Sequence, residues 1–170
     1  MALRRIALQD FVIVQALDLD VHNGFTALTG ETGAGKSILV DALQLVMGAR
    51  ADAGFVREGC NRTDITAHFD ITPALAPLLD EYGIEADAEE GLLLRRVVDS
   101  QGKSRGWING TPATATQLRA LGTLLVDIHG QHAWQSLTRP ASTRALLDGY
   151  GRIDTTAIRT LWQQWQTARE

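Results

Sequence analysis

Gly30-Glu31-Thr32-Gly33-Ala34-Gly35-Lys36-Ser37 is the stretch whose reading decides the fold. Glycines 30, 33 and 35 let the backbone turn sharply and bring its N–H groups against an anion. On one side lies a short apolar run, Phe25-Thr26-Ala27-Leu28-Thr29, which reads as a strand. On the other, residues 37–47 carry Ile38, Leu39, Ala42, Leu45 and Val46 at helical spacing, and Gly48 is placed to end that helix. The pattern Gly-x-x-x-x-Gly-Lys-Ser between a strand and a helix predicts a cradle for a nucleoside triphosphate, ATP with magnesium. Lys36 reaches the β- and γ-phosphates in this reading, and the Ser37 hydroxyl completes the magnesium shell. The helix dipole points its positive end at the same anion.

Outward from the loop, the chain reads as alternating α and β. Residues 3–8 and 16–21 are predicted strands, the second because Leu17, Leu19 and Val21 alternate with Asp18 and Asp20. His22-Asn23-Gly24 reads as a tight turn. Residues 49–63 form a loop, and residues 64–71 alternate again through Ile65, Ala67, Phe69 and Ile71. A short helix is predicted from Leu75 to Tyr82, closed by Gly83, and a strand over residues 92–98. Residues 101–106 read as a hairpin connection to a return strand that starts at Trp107-Ile108-Asn109, and Asn109-Gly110 as a turn with positive φ. Thr116 is placed to cap a helix through Leu121, ended by Gly122. Leu124-Leu125-Val126-Asp127-Ile128 reads as a buried strand, followed by a loop at His129-Gly130-Gln131-His132. From Ala157 onward, Ile158, Leu161, Trp162, Trp165 and Ala168 fall at helix spacing, in phase up to the last residue.

The 170 residues suffice for an ordinary core, and 45% of them are hydrophobic. A net charge of −4, from 16 basic and 20 acidic residues, excludes a generally basic nucleic-acid coat but leaves room for a local basic patch. One cysteine, Cys60, forms no internal disulfide, which fits a reducing, cytoplasmic compartment. No run of about 18 apolar residues predicts a membrane span, and the N-terminus lacks the apolar stretch of a signal peptide.

A triphosphate site that hydrolyses also needs an acidic magnesium ligand and a group that positions the attacking water. Asp127 is the acid that a hydrophobic run presents, either as a metal ligand or as a strand residue bonded to a neighbouring loop. His129 and His132 are two histidines without further ligands and read as loop residues. Arg95, Arg96, Lys103 and Arg105 cluster on one predicted hairpin, either as a solvated face or as contacts to DNA phosphates.

The opening Leu3-x-x-Ile6-x-Leu8-x-x-Phe11, taken with residues 25–37, resembles the SMC-type ABC ATPases. Ser104-Arg105-Gly106-Trp107-Ile108-Asn109-Gly110 and Val126-Asp127-Ile128-His129-Gly130-Gln131-His132 are similar to a bacterial DNA-repair branch of that family. The resemblance implies an α/β P-loop NTPase fold. Residues 1–150 would be the N-terminal lobe of an ABC/SMC-type head, with an antiparallel β subdomain, and residues 151–170 the start of a coiled-coil helix. It implies that Gln131 is the Q-loop glutamine, which helps hold magnesium and senses the γ-phosphate, leaving Asp127 a structural role. It implies that Arg57 reaches the phosphates, the alternative being an ordinary surface ion pair. It also implies a C-terminal head half carrying the signature motif, the Walker B aspartate and the catalytic glutamate, none of which has a match here. The partners it implies are that half, the second head of a homodimer and DNA, in the cytoplasm at the nucleoid. The competing readings are a stand-alone P-loop kinase, with Arg57, Arg62, Arg95 and Arg105 pressed into a lid, and a module in which ATP binding only joins surfaces.

Overall fold

The computed structural model describes residues 3–29, 35–85, 87, 89–126, 128, 140–151 and 153–169. Among them, six strands form one antiparallel sheet in the order β2-β1-β3-β4-β5-β6. The strands are β1 (Leu3–Phe11), β2 (Val14–Asp20), β3 (Arg62–Phe69), β4 (Leu92–Asp99), β5 (Ser104–Ile108) and β6 (Thr111–Ala113). The helices are α1 (Lys36–Val46), α2 (Ala76–Glu81), α3 (Ala115–Leu125), α4 (Pro140–Tyr150) and α5 (Thr156–Arg169). The chain divides into two compact units, Met1–Asp127 and Ile128–Glu170.

In the first unit, strand alternation sends one side chain in two to the core. Ile6 and Leu8 from β1, Ile65, Ala67 and Phe69 from β3, Leu92, Leu94 and Val98 from β4 and Ile108 from β5 are all buried on one face. α1 lays Ile38, Ala42, Leu45 and Val46 on that face, and α3 adds Leu118, Leu121 and Leu125. Each Val, Leu, Ile or Phe side chain among them contributes about 1.5–3 kcal/mol on burial. The other face carries Arg5, Asp18, Asp20, Asp64 and Arg95, and its tight ion pairs run diagonally between neighbouring strands. Arg5 grips Asp18 across the β1–β2 ladder through two guanidinium nitrogens. Its Nε also lies 3.7 Å from Asp20.

Several expectations change at this level. Residues 25–29 join no ladder among the described residues, with Phe25 95% and Leu28 48% exposed. A central strand is stable only with neighbours on its edges and faces, and the described chain places none beside this run. The predicted strand at 124–128 is replaced by the last turn of α3, which carries Leu124 and Leu125. The true cap of α3 is Thr114, not Thr116. Gln117 N–H donates to Thr114 Oγ1 at 3.2 Å, and Gln117 Oε1 accepts from the Thr114 N–H at 2.9 Å. The helix runs through Gly122 and ends where Val126 turns extended. The return strand of the hairpin starts at Ser104 rather than Trp107. The Asp99 carboxylate closes the turn early by accepting from the N–H groups of Gln101 (3.0 Å) and Lys103 (2.9 Å). Asn109-Gly110 is the expected positive-φ turn, with φ of 46° and 80°.

The second unit holds α4, a helix that the sequence reading left unassigned, and α5, which begins at Thr156 where a helix was expected from Ala157. Ile158, Leu161, Trp162 and Trp165 of α5 are all about half exposed or more. The rings of Trp162 and Trp165 lie 4.8 Å apart, and the Arg169 guanidinium sits 5.2 Å from the Trp165 ring centre. Among the described residues no helix is long and apolar enough to cross a membrane.

Candidate nucleotide-binding site

Gly35 is the N-cap of α1 and Lys36 its first residue. A Gly N-cap brings no side-chain acceptor, and the first turn of α1 contains no acidic residue. Four backbone N–H groups at a helix start need acceptors from outside the helix, and among the described residues no side chain caps this one. Ser37 is exposed at this end, and space is open around the Gly35 α-carbon. The residues present therefore fit a phosphate and its magnesium ion: uncapped donors, a positive dipole end and a hydroxyl on the same turn.

Two features fix where α1 starts and ends. Its apolar face is pinned to β3 and β4 by Ile38, Ala42, Leu45 and Val46. Its C-terminus stops at Gly48, where φ is +90° and the N–H donates back to the Leu45 carbonyl at 3.1 Å.

Beside α1, the β1–β2 turn and the loop that follows the helix are stitched together. Val12 N–H donates to Phe55 C=O at 2.9 Å, Arg57 N–H donates to Asp10 C=O at 2.9 Å, and Phe11 forms an antiparallel bridge with Val56. Phe11 is fully buried and stacks on Phe55, with ring centres 5.5 Å apart and planes within 6°. The Asp52 carboxylate caps the 3-10 turn Ala53–Phe55 by accepting from Gly54 N–H at 2.7 Å. A groove of about 440 Å³ runs between this turn and α1, with Val12, Asp41, Arg50, Asp52, Gly54 and Phe55 on its walls. Asp10 and Val12 hold φ of 50° and 53°. Such values suit Asp tolerably and a β-branched residue badly, so the turn stores backbone strain on the order of 1–3 kcal/mol at Val12.

Arg57 is thus described as part of this stitched segment, half exposed, with Nη1 4.0 Å from Asp10 Oδ1. Gly35, Lys36 and Ser37 stand at the start of α1 as expected, although only the backbone of Lys36 is described. Gly30, Glu31, Thr32, Gly33, Ala34, Asp127, His129, Gln131 and His132 lie outside the described residues. Sequence reading passed over Asp10 and the Phe11–Phe55 stack. The signal for the stack was Phe11 itself, an aromatic at the end of an alternating strand.

The basic hairpin divides. Arg95 donates through Nη2 to Asp64 at 2.5 Å and lies 5.3 Å from the Trp107 ring centre. Its Asp64 hydrogen bond pushes its pKa up. Arg96 points the other way and is 4% exposed. Strand alternation explains this, because neighbours on β4 face opposite sides of the sheet. Burial lowers the Arg96 pKa, and the charge of Arg119 lowers it further. Its Nη2 donates to Ser104 Oγ at 2.9 Å, while its Nε has no acceptor among the described residues. Expecting Arg96 on one surface with Arg95, Lys103 and Arg105 is therefore corrected.

A family described as AAA domain matches residues 5–103. DNA repair protein RecN of Vibrio cholerae is 41% identical over 170 residues, covering 98% of this chain and 30% of the relative. RecN of Xylella fastidiosa (strain 9a5c) is 41% identical over 166 residues, covering 96% of this chain and 30% of the relative. This chain thus spans about 30% of the length of these curated relatives and corresponds to the N-terminal part of RecN. A solved structure from work on ATP-driven dimerization and DNA-stimulated activation of SMC ATPases superposes with a TM-score of 0.61 at 22% identity, covering 86% of this chain and 97% of that one. The fold is that of the N-terminal lobe of an ABC/SMC-type P-loop head, as expected. Nothing in these likenesses supports the kinase reading.

Proposed function

Because the chain belongs to the AAA domain family, we propose that it binds ATP with magnesium at residues 30–37 and forms the N-terminal half of the ATPase head of an SMC-like DNA-repair protein. The observation that carries the reading is the uncapped N-terminus of α1 directly behind Gly30-x-x-x-x-Gly35-Lys36-Ser37. In this reading the N–H groups of residues 30–37 bind phosphate oxygens, and the Lys36 ammonium neutralises the β- and γ-phosphates. Ser37 and Gln131 hold the magnesium, and Arg57 meets the phosphates from the stitched segment. Magnesium supplies charge neutralisation on the terminal phosphates when bound.

The rest of the reading extends past this chain. Residues 1–150 are the lobe and residues 151–170 open the coiled coil, supported by the apolar stripe of Ile158, Leu161, Trp162 and Trp165 on α5. The run at 25–29 supports a further half-head beside this lobe, since Phe25 is 95% exposed and the run joins no ladder among the described residues. Efficient hydrolysis then needs the C-terminal half, which brings the Walker B acid and the catalytic glutamate. ATP binding drives two heads together, and DNA is the further partner, in the cytoplasm.

Two measurements test this. Lys36→Ala is expected to abolish ATP binding in equilibrium titration, and tight binding by that variant would move the site elsewhere. ATP turnover by this chain is expected to be negligible alone and to rise when the C-terminal half and DNA are added. Robust phosphate transfer from this chain alone to a small acceptor would overturn the head reading.

A further inference from the structure

The β1–β2 turn does more than end a hairpin. It holds two non-glycine residues at positive φ, Asp10 and Val12, one on each side of the fully buried Phe11. Strain of this kind persists where surrounding contacts over-determine it. Beyond the hairpin itself, the turn is held to one segment: Val12 to Phe55, Phe11 to Val56 and Phe55, and Asp10 to Arg57. Asp10 meets Arg57 twice. Its carbonyl oxygen accepts the Arg57 N–H at 2.9 Å, and its carboxylate stands 4.0 Å from the Arg57 guanidinium. The first contact is tight and independent of the side chain. The second is at the outer limit of an ion pair, between groups 38% and 25% exposed. A contact that loose is weak, and a polyanion within reach of Arg57 displaces it.

We propose that Asp10 is a positioning residue for Arg57: its carbonyl fixes the arginine backbone, and its carboxylate holds the guanidinium in the nucleotide-free protein and yields it to a bound triphosphate. This rests on the reading of Arg57 as a phosphate contact. Asp10 then sets part of the ATP affinity without touching the nucleotide, because every binding event must first break its pair with Arg57. A carboxylate serves here because it competes with phosphate for the same cation. The left-handed backbone at Asp10 admits Asn equally well, so the carboxylate can be removed without adding strain.

The test is a double-mutant cycle on ATP affinity in the intact protein, by equilibrium titration with magnesium present. Asp10→Asn alone is expected to tighten ATP binding about two- to five-fold, the range open to a partly exposed ion pair. A substitution that merely damaged the fold would weaken binding instead. In the Arg57→Ala background, Asp10→Asn is expected to change nothing. No tightening in the first case, or equal tightening in both, overturns the proposal, the latter because Asp10 would then repel phosphate directly. Arg57→Ala alone is expected to weaken ATP binding several-fold. If it leaves ATP affinity unchanged, the phosphate contact itself fails, and with it the proposal, in a way the first comparison cannot mimic.

Discussion

Nη2 of Arg119 donates to the carbonyl oxygen of Gly48 at 2.8 Å, so α3 is tied to the left-handed glycine just past the end of α1. The two helices meet through missing side chains. An added Cβ at Gly48 would lie 2.4 Å from the Ala115 carbonyl oxygen, and one at Gly122 would lie 2.8 Å from the Met47 Cβ. Gly48→Ala meets backbone and adopts φ near +90°, so it is expected to cost about 3 kcal/mol or more. Gly122→Ala recovers up to about 1 kcal/mol of helix propensity against its clash, for a net loss of roughly 1–2 kcal/mol. Urea unfolding midpoints check the order. Gly122→Ala at or above the parent midpoint would show that Met47 yields without cost.

That junction also marks where reading the sequence stopped working. Gly48 was legible as a helix stop, because it follows a clear 3.6-residue apolar pattern on α1. Gly122 looked like a second stop and is instead a point of helix contact inside α3. Leu118, Leu121 and Leu125 carry the helical spacing, but a short apolar run at 124–128 is equally a strand pattern, and only the α3–sheet packing decides it. The alternation in β3 and β4 was legible for the opposite reason: one face is buried and one wet, so period 2 is written into the residues. At the site, the start of α1 follows from local chemistry. The Asp10–Arg57 relationship spans 47 residues and depends on how a turn docks, which no local pattern encodes.

Arg96 offers a prediction about cost rather than contact. Its guanidinium is buried, with Ser104 as its hydrogen-bond partner among the described residues and Arg119 as a like charge. A pKa lowered on folding means that the charged form opposes folding wherever guanidinium is protonated, and relief comes only at strongly alkaline pH. Arg96→Met keeps the apolar stem and removes the charge. It is expected to stabilise the protein by about 1 kcal/mol, read as a higher thermal midpoint. A clear loss of stability would show that the charge is compensated in the folded protein.

The Arg95 pair predicts a smaller, opposite effect. Arg95 joins Asp64 and Trp107 across three strands, with its guanidinium about half exposed. Arg95→Ala is expected to cost about 1 kcal/mol, combining an ion pair, a cation–π contact and the stem packed on the sheet. Much of that is electrostatic and screened, so the gap between variant and parent should narrow in high salt. A gap that does not change with salt would assign the loss to packing alone.

The same face decides what the hairpin can do with DNA. With Arg96 buried and Arg95 held by Asp64, the exposed cations left on the hairpin are Lys103 and Arg105. Across the open face of the sheet, Arg5, Arg95 and Arg105 stand against Asp18, Asp20 and Asp64, so no positive field builds there to gather phosphates. Reversing both charges, Lys103→Glu with Arg105→Glu, is therefore expected to leave DNA affinity and its salt dependence unchanged in a filter-binding series. If both side chains contact phosphates, the slope of log K against log salt should instead shrink by about 1.8, from roughly 0.9 for each neutralised phosphate. The slope is the better readout, because a fold defect lowers the fraction of active protein without altering how affinity responds to salt.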